Sequence, residues 1–356
     1  MEPAKLIEHP DIVTAEICRR SFPRFMQILW DTISAEELKW NWHIDYLCEK
    51  LSELAHDVAS GKPRKHDVIV NIPPGTTKSV TCSIMFPIWC WINWPWMRFI
   101  VASYSRDLAL EHANYSREMV RSAKFKSLFP DIFIKQDQDS KGNFRIVERK
   151  YKENGEEYYE IGGNRYSTSV GGTVAGYHGH IIIIDDPLNP HQVVSEVEIL
   201  NAQRFMSQTI PNRKVDKAVT ATVLIMQRLH QDDPTGFWLE NRKERIFHIS
   251  LPGECKSYKP IPEELINNYS EDNLLDPIRL NWDVLKDLEE ALGQYGYAGQ
   301  IGQSPTPPSG GMFKVDRFTI ADALPPSHFI IQEIRFWDKA ATAEVKGENN
   351  PYTVGV

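Results

Sequence analysis

The chain has 356 residues, 42% hydrophobic and 25% charged, with a formal net charge of −8. These are globular averages, which set aside collagen-like, disordered and bilayer-spanning chains. The acidic balance argues against a generally basic nucleic-acid coat, though not against a local basic face.

Residues 1–60 read as helices. Phe25–Trp30 is one apolar patch, and over Asp45–Val58 the residues Tyr46, Leu47, Leu51, Leu54 and Val58 recur at helical spacing. The opening MEPAKLIEHPD lacks the apolar core of a signal peptide. Trp40, Trp42 and His43 stand just before the second helix, where aromatics ordinarily pack helices.

Asp67–Ser79, DVIVNIPPGTTKS, is the most informative stretch. Val68, Ile69, Val70 and Ile72 suit a strand buried in a parallel sheet. Pro73, Pro74 and Gly75 stop it, and Lys78-Ser79 opens an apolar helix. A strand, a tight turn and a helix N-terminus form a phosphate cradle. The backbone of Pro74, Gly75, Thr76 and Thr77 would surround the anion, Lys78 would supply a charge, and Ser79 would ligate Mg²⁺. The usual pattern is G-x-x-x-x-G-K-[ST], and here Ile72 and Thr77 occupy its glycine positions. A Cβ at position 77 restricts positive φ, so a loop kept out of that region would bind nucleotide weakly. Taken alone, the segment also fits an ordinary strand–turn–helix with a surface lysine.

Ser83–Tyr104 is apolar but broken by Pro87, Asn93, Pro95 and Arg98, so it reads as helix, turn and strand (Arg98–Ser103), not as a membrane span. Leu108–Phe129 reads as one charged helix. Polar Gln136–Tyr151, with Tyr158–Gly162 and Tyr166–Val170, suggests a β-hairpin excursion. Ile181–Pro187, IIIIDDP, is a strand buried on both faces that ends in two carboxylates, at the strand end where open α/β sheets bind ligands. Asp185 would hold Mg²⁺ and Asp186 would orient or deprotonate the attacking water; the plainer alternative is a strand cap followed by a turn. Ala218–Met226 closes the core sheet. Gln227 beyond it would sense a γ-phosphate, and Arg228 would pair with phosphate or with Asp232; ordinary loop chemistry is the alternative for both. Strands alternating with helices predict a doubly wound, mostly parallel α/β sheet of P-loop NTPase type. The basic clusters Gly61–His66, Arg213-Lys214 with Lys217, and Arg242-Lys243 with Arg245 are candidate DNA contacts or solvated loops. Cys18, Cys48, Cys82, Cys90 and Cys255 have no framework spacing and read as reduced thiols. From Leu251 prolines mark linker character, with a helix at Trp282–Leu292 inside it. Phe329–Trp337 reads as a strand ending in Asp338, Glu344–Pro351 as a turn, and Tyr352–Val356 as the start of another strand.

The series PPGTTKS, FPIWCWINWPWMRFIVASYS, GGTVAGYHGHIIIIDDP and MQRLHQDDPTG, followed by YAGQIGQSPTPPSGGMF and RFWDKAATAEVKGENNPYTVGV, resembles the large terminase subunit of tailed bacteriophages from about Trp42 onward. The resemblance implies an ATPase that uses ATP and Mg²⁺ to drive double-stranded DNA into a procapsid in the host cytoplasm. It implies a portal protein, a small terminase subunit and a homo-oligomeric ring as partners, with the isolated chain monomeric and no membrane involved. It divides the chain into a helical segment (1–60), an ATPase core (61–250), a linker subdomain (251–328) and the start of an RNase H-like nuclease (329–356). In that nuclease Asp338 matches a ligand of Mg²⁺ or Mn²⁺; its partner carboxylates are absent, so the chain is expected to be a piece of a longer protein. Trp42 or His43 would line the adenine pocket. The family's phosphate loop usually has Arg where Gly75 stands and Gly where Thr77 stands. Its upstream Thr-Gly-Arg-Gly-like turn is Ala175-Gly176-Tyr177-His178 here, which leaves Arg165 as the substitute for an arginine finger. The competing readings are a helicase-like or segregation P-loop ATPase and a catalytically weak P-loop scaffold.

Overall fold

Runs of β-branched residues become the middle of a sheet. In the computed structural model, which describes residues 10–306 and the short strands at 337–338 and 354–355, eight strands form one sheet in the order β3-β4-β5-β2-β6-β7-β1-β8. They are β1 (Asp67–Asn71), β2 (Phe99–Ser103), β3 (Ile132–Ser140), β4 (Asn143–Tyr151), β5 (Glu157–Ser169), β6 (Ile181–Asp185), β7 (Ala221–Met226) and β8 (Ile246–Ser250). The six from β5 to β8 in that order run parallel, and β3 and β4 extend the β5 edge antiparallel.

Side chains alternate across a strand, so a run of isoleucines serves two cores at once. Ile181 and Ile183 face one cluster with Val68, Val70, Phe99, Val101, Val223 and Ile225. Ile182 and Ile184 face the other with Ile69, Ile100, Leu224 and Met226. The first face is covered by α1 (Pro10–Arg20), α2 (Phe22–Leu29), α3 (Trp42–Ala59), α4 (Phe86–Asn93), α5 (Arg106–Arg121) and α6 (Ala123–Leu128). The second is covered by Phe205, Met206 and Ile210, which follow α7 (Glu196–Arg204), and by Trp238 of α8 (Pro234–Arg242). The sheet is therefore doubly wound, as the alternation predicts.

Several boundaries differ from the sequence reading, each for a local reason. The charged helix breaks at Ser122, whose backbone leaves the helical region (φ −61°, ψ 150°) and whose hydroxyl accepts the Phe125 N–H at 3.1 Å. A serine cap stops one helix and starts the next. The polar hairpin is no separate excursion: Phe99–Ser103 of β2 pairs in parallel with Arg165–Ser169 of β5, so it widens the main sheet. The strand expected from Ala218 begins at Ala221, because Asp216 holds Ala218 and Val219 in a turn through their N–H groups. The helix expected to end at Leu292 continues as α9 (Trp282–Gln300) through a kink at Gly293, φ 67°.

The chain divides into two compact units, Met1–Ser309 and Gly310–Val356. Within the first, Leu265, Tyr269 and Leu275 join the larger core, and Leu274, Leu280, Leu285, Tyr297 and Ile301 form a small one. Within the second, Trp337–Asp338 pairs antiparallel with Val354–Gly355.

Candidate active site

Register brings the polar strand ends into one row. Asn71 of β1 lies opposite Met226 of β7, and Asp185 of β6 lies between Ile225 of β7 and Ser103 of β2. The loop after β1 and the two carboxylates after the isoleucine run thus share the carboxyl edge of the sheet, with β7 between them.

Gly75 has φ 76° and Thr77 has φ 69°. The expected restriction at position 77 is therefore overturned: a β-branched residue sits in the left-handed region that glycine normally supplies, at a strain of about 1–3 kcal/mol. Two hydrogen bonds brace the turn. Thr76 Oγ1 donates to the Pro73 carbonyl at 2.7 Å, and the Thr76 carbonyl faces His43 Nε2 at 3.0 Å. Among the described residues the N–H group of Thr77 finds no intramolecular partner. Lys78 and Ser79 then open a helix that widens to i→i+5 bonding over Val80–Met85 before α4.

Lys78 is buried, with Nζ 3.6 Å from Asp186 Oδ2. Ser79 Oγ donates to Asp185 Oδ1 at 3.1 Å. Asp185 Oδ2 is buried without a hydrogen-bond donor, and His112 Nδ1 of α5 lies 3.4 Å from it. Burial raises the Asp185 pKa, opposed by Ser83, Lys78, Ser79 and Arg165. Burial also raises that of Asp186, opposed most strongly by Lys78. His112 is held near 4, below its ordinary 6.5, by burial and then by Arg165, so it is neutral at pH 7. Asp186 takes φ 45°; its N–H donates to the Ile225 carbonyl at 2.8 Å and its carbonyl accepts the Tyr104 N–H at 2.9 Å. Both neighbouring strand ends therefore fix where its carboxylate points.

Other sequence candidates land elsewhere. Arg228 pairs with Asp233, not Asp232: Nε lies 2.9 Å from Asp233 Oδ2, and Asp233 caps α8 through the Gly236 N–H. It is a buried structural ion pair. Gln227 lies beside Asp186, with its side-chain oxygen buried and unpartnered. Arg165 is fully buried, which overturns its reading as a finger reaching a neighbouring subunit. Its guanidinium donates to the Ser83 carbonyl and to Ser116 Oγ. Pro87 has no N–H to offer Ser83 one turn earlier, so Arg165 supplies the missing donor. Tyr177 stacks on Tyr166 with centroids 3.7 Å apart. His43 is fully buried against the loop, so it presents no face to a base; Trp42 packs on Tyr269 with centroids 5.7 Å apart.

Several candidate DNA-contacting cations are used internally. Lys62 pairs with Asp57, and Arg64, Lys214 and Arg242 converge on buried Asp67. The nuclease candidate Asp338 ends the strand Trp337–Asp338, and its side chain lies outside the described residues. Among the described residues no three His, Cys, Asp or Glu side chains cluster to hold a metal, and no helix is long and apolar enough to cross a membrane. Sequence reasoning missed His112 and Ser83, which meet Asp185 only through the fold and carry no local motif.

No family model matches this chain, and no curated protein does either. Among solved structures it is similar to a mutant form of the large terminase ATPase domain of Thermus phage P74-26, at 12% identity over 72% of this chain and 98% of that one, TM-score 0.47. It is similar to the HK97 bacteriophage large terminase at 11% identity over 77% of this chain and 54% of that one, TM-score 0.46. A large terminase from a thermophilic bacteriophage in complex with ATP-gamma-S matches at 13% identity over 78% of this chain and 58% of that one, TM-score 0.42. The chain spans little more than half the length of these last two.

Proposed function

We propose that the chain is an ATP-hydrolysing subunit of a motor that drives double-stranded DNA into a viral procapsid. One observation supports the ATPase reading: Lys78 and Ser79 at a helix start lie 3.6 Å and 3.1 Å from Asp186 and Asp185 at a strand end. The backbone from Pro74 to Thr77 and the Lys78 ammonium would take the phosphates. A Mg²⁺ ion fits the donor set, because Ser79 Oγ and the unpartnered Asp185 Oδ2 are hard oxygen ligands and Mg²⁺ takes one or two carboxylates plus phosphates. Bound there with ATP, it would neutralise charge on the phosphate oxygens. Phosphate would draw Lys78 from Asp186, freeing that carboxylate to orient and deprotonate water. Gln227, held next to Asp186, would register the γ-phosphate. The motor reading rests on the order of the sequence motifs. A ring of copies on a portal, with a small terminase subunit and DNA, belongs to it.

The test is ATP hydrolysis by the chain and its Lys78→Ala variant, with circular dichroism to follow the fold. Phosphate release that disappears in the variant while the fold persists is the expected result. Turnover unchanged by Lys78→Ala removes the assignment. Stimulation of the ATPase by double-stranded DNA and portal checks the motor reading separately.

A further inference from the structure

His43 has an unusual position for a helix-packing residue. It is fully buried in the first turn of α3, yet its ring addresses a loop on another element, with Nε2 3.0 Å from the Thr76 carbonyl. A carbonyl only accepts, so Nε2 carries the proton. Nδ1 is buried and has no partner. The start of α3 is fixed from the other side: Asn41 caps it, accepting the Trp42 N–H at 2.8 Å and donating to the Leu275 carbonyl at 2.8 Å.

A trans peptide is planar, and its C=O and N–H point in opposite directions. Holding the Thr76 carbonyl toward His43 therefore turns the Thr77 N–H the other way, and that N–H has no partner among the described residues. The same peptide leads into Thr77 at φ 69°, where a Cβ is unfavourable and glycine is the natural residue. A glycine would reach this conformation unaided; a threonine needs an external hold.

We infer that His43 is a positioning residue of the phosphate loop, a tether that holds the 76–77 peptide in its left-handed turn and aims the Thr77 N–H at phosphate in place of the missing glycine. The inference rests on the nucleotide-binding reading. It makes a specific demand, that His43 should matter because residue 77 is threonine. In the Thr77 background, loss of one buried hydrogen bond should weaken nucleotide binding roughly threefold to tenfold. With glycine at 77 the same loss should do little.

The experiment is a cycle of His43→Ala, Thr77→Gly and the double variant in the full chain, read as the Kd of a fluorescent ADP analogue with Mg²⁺ and as KM and kcat for ATP. The expected result is a rise in Kd and KM for His43→Ala with kcat changed less, and a change under about twofold when Thr77→Gly is also present. His43→Gln, which keeps an N–H donor near the Nε2 position, should restore most of the affinity. Equal penalties for His43→Ala in both backgrounds, or none in either, overturn the inference. If His43→Ala does not fold, rescue of folding by Thr77→Gly supports the tether and failure to rescue overturns it. A parent chain whose Kd is unaffected by Lys78→Ala overturns the nucleotide reading itself, an outcome distinct from additivity in the cycle.

Discussion

Asp185 and Asp186 are adjacent in sequence and are held in different ways. Asp185 is the last residue of a buried strand, fully enclosed, with one oxygen on Ser79 and the other facing His112. Asp186 has left the strand, at φ 45°, and its carboxylate is partly open beside Lys78. In the proposed ATPase, Asp185 would support the metal and Asp186 would meet the water. Asparagine tolerates the left-handed region, so Asp186→Asn would remove the proposed base without disturbing the backbone. That variant is expected to keep nucleotide affinity and lose roughly 10²–10⁴-fold in single-turnover hydrolysis, the usual worth of a general base. Asp185→Asn is expected instead to raise the Mg²⁺ concentration needed for half-maximal binding. Fluorescent-nucleotide titration beside single-turnover phosphate release distinguishes them, and equal loss of binding in both would show that the roles are wrongly divided. The pair itself is legible in the sequence because four isoleucines leave no other place for two carboxylates than a strand end. His112 is not legible: an isolated histidine on a helix meets Asp185 only once that helix has docked on the sheet.

At the scale of elements, the helix that follows the loop after β1 shows a local defect repaired from a distance. Pro87 enters α4 at its first turn and cannot donate to Ser83, and the preceding residues widen to i→i+5 bonding. Arg165 of β5 closes the vacancy by donating to the Ser83 carbonyl, and Ser116 of α5 donates to Ile84 at 3.0 Å. Sequence alone reads Pro87 as a breaker and Arg165 as a substitute for an arginine finger; neither residue announces the other across the intervening chain. Arg165→Met, which keeps much of the volume, should destabilise the chain by about 1–3 kcal/mol, as expected for a buried carbonyl left without a donor. Pro87→Ala restores an N–H one turn on and should reduce that loss. Urea unfolding of both single variants and the double variant measures the coupling; strictly additive losses would mean that Arg165 stabilises something other than this carbonyl.

Across the whole molecule, the central strands were readable because burial on both faces demands unbroken apolar runs, and 181–184 meets that demand fully. The polar edge strands were harder, because 136–151 satisfies its backbone at a sheet margin where alternation is weak. The cations of Gly61–His66 and of Arg242 looked solvated in sequence, yet the fold sends Arg64 and Arg242 to Asp67. Histidine shows the same dependence on context and gives the molecule an acid limit. His180 Nδ1 accepts the Arg98 N–H at 2.9 Å and so must be unprotonated, and His248 faces Asn71 at 2.8 Å. Burial, then Arg98 for His180 and Arg228 for His248, holds both near pKa 4 against an ordinary 6.5. In the unfolded chain both take up protons first as pH falls. Their stabilisation is therefore complete above pH 6.5 and is lost as pH drops toward 4. Each is worth roughly 1–3 kcal/mol after allowance for partial exposure. The raised carboxyls of Asp185 and Asp186 act with the opposite sign, favouring the folded state at low pH and losing that contribution as pH rises. The two histidines by themselves lower the urea midpoint between pH 7 and pH 5, and substituting one of them isolates that fall from the opposing carboxyls. His180→Asn places an acceptor that cannot titrate opposite the Arg98 N–H and should flatten that fall. A variant with the same pH slope as the parent would show that folding does not shift the titration of His180.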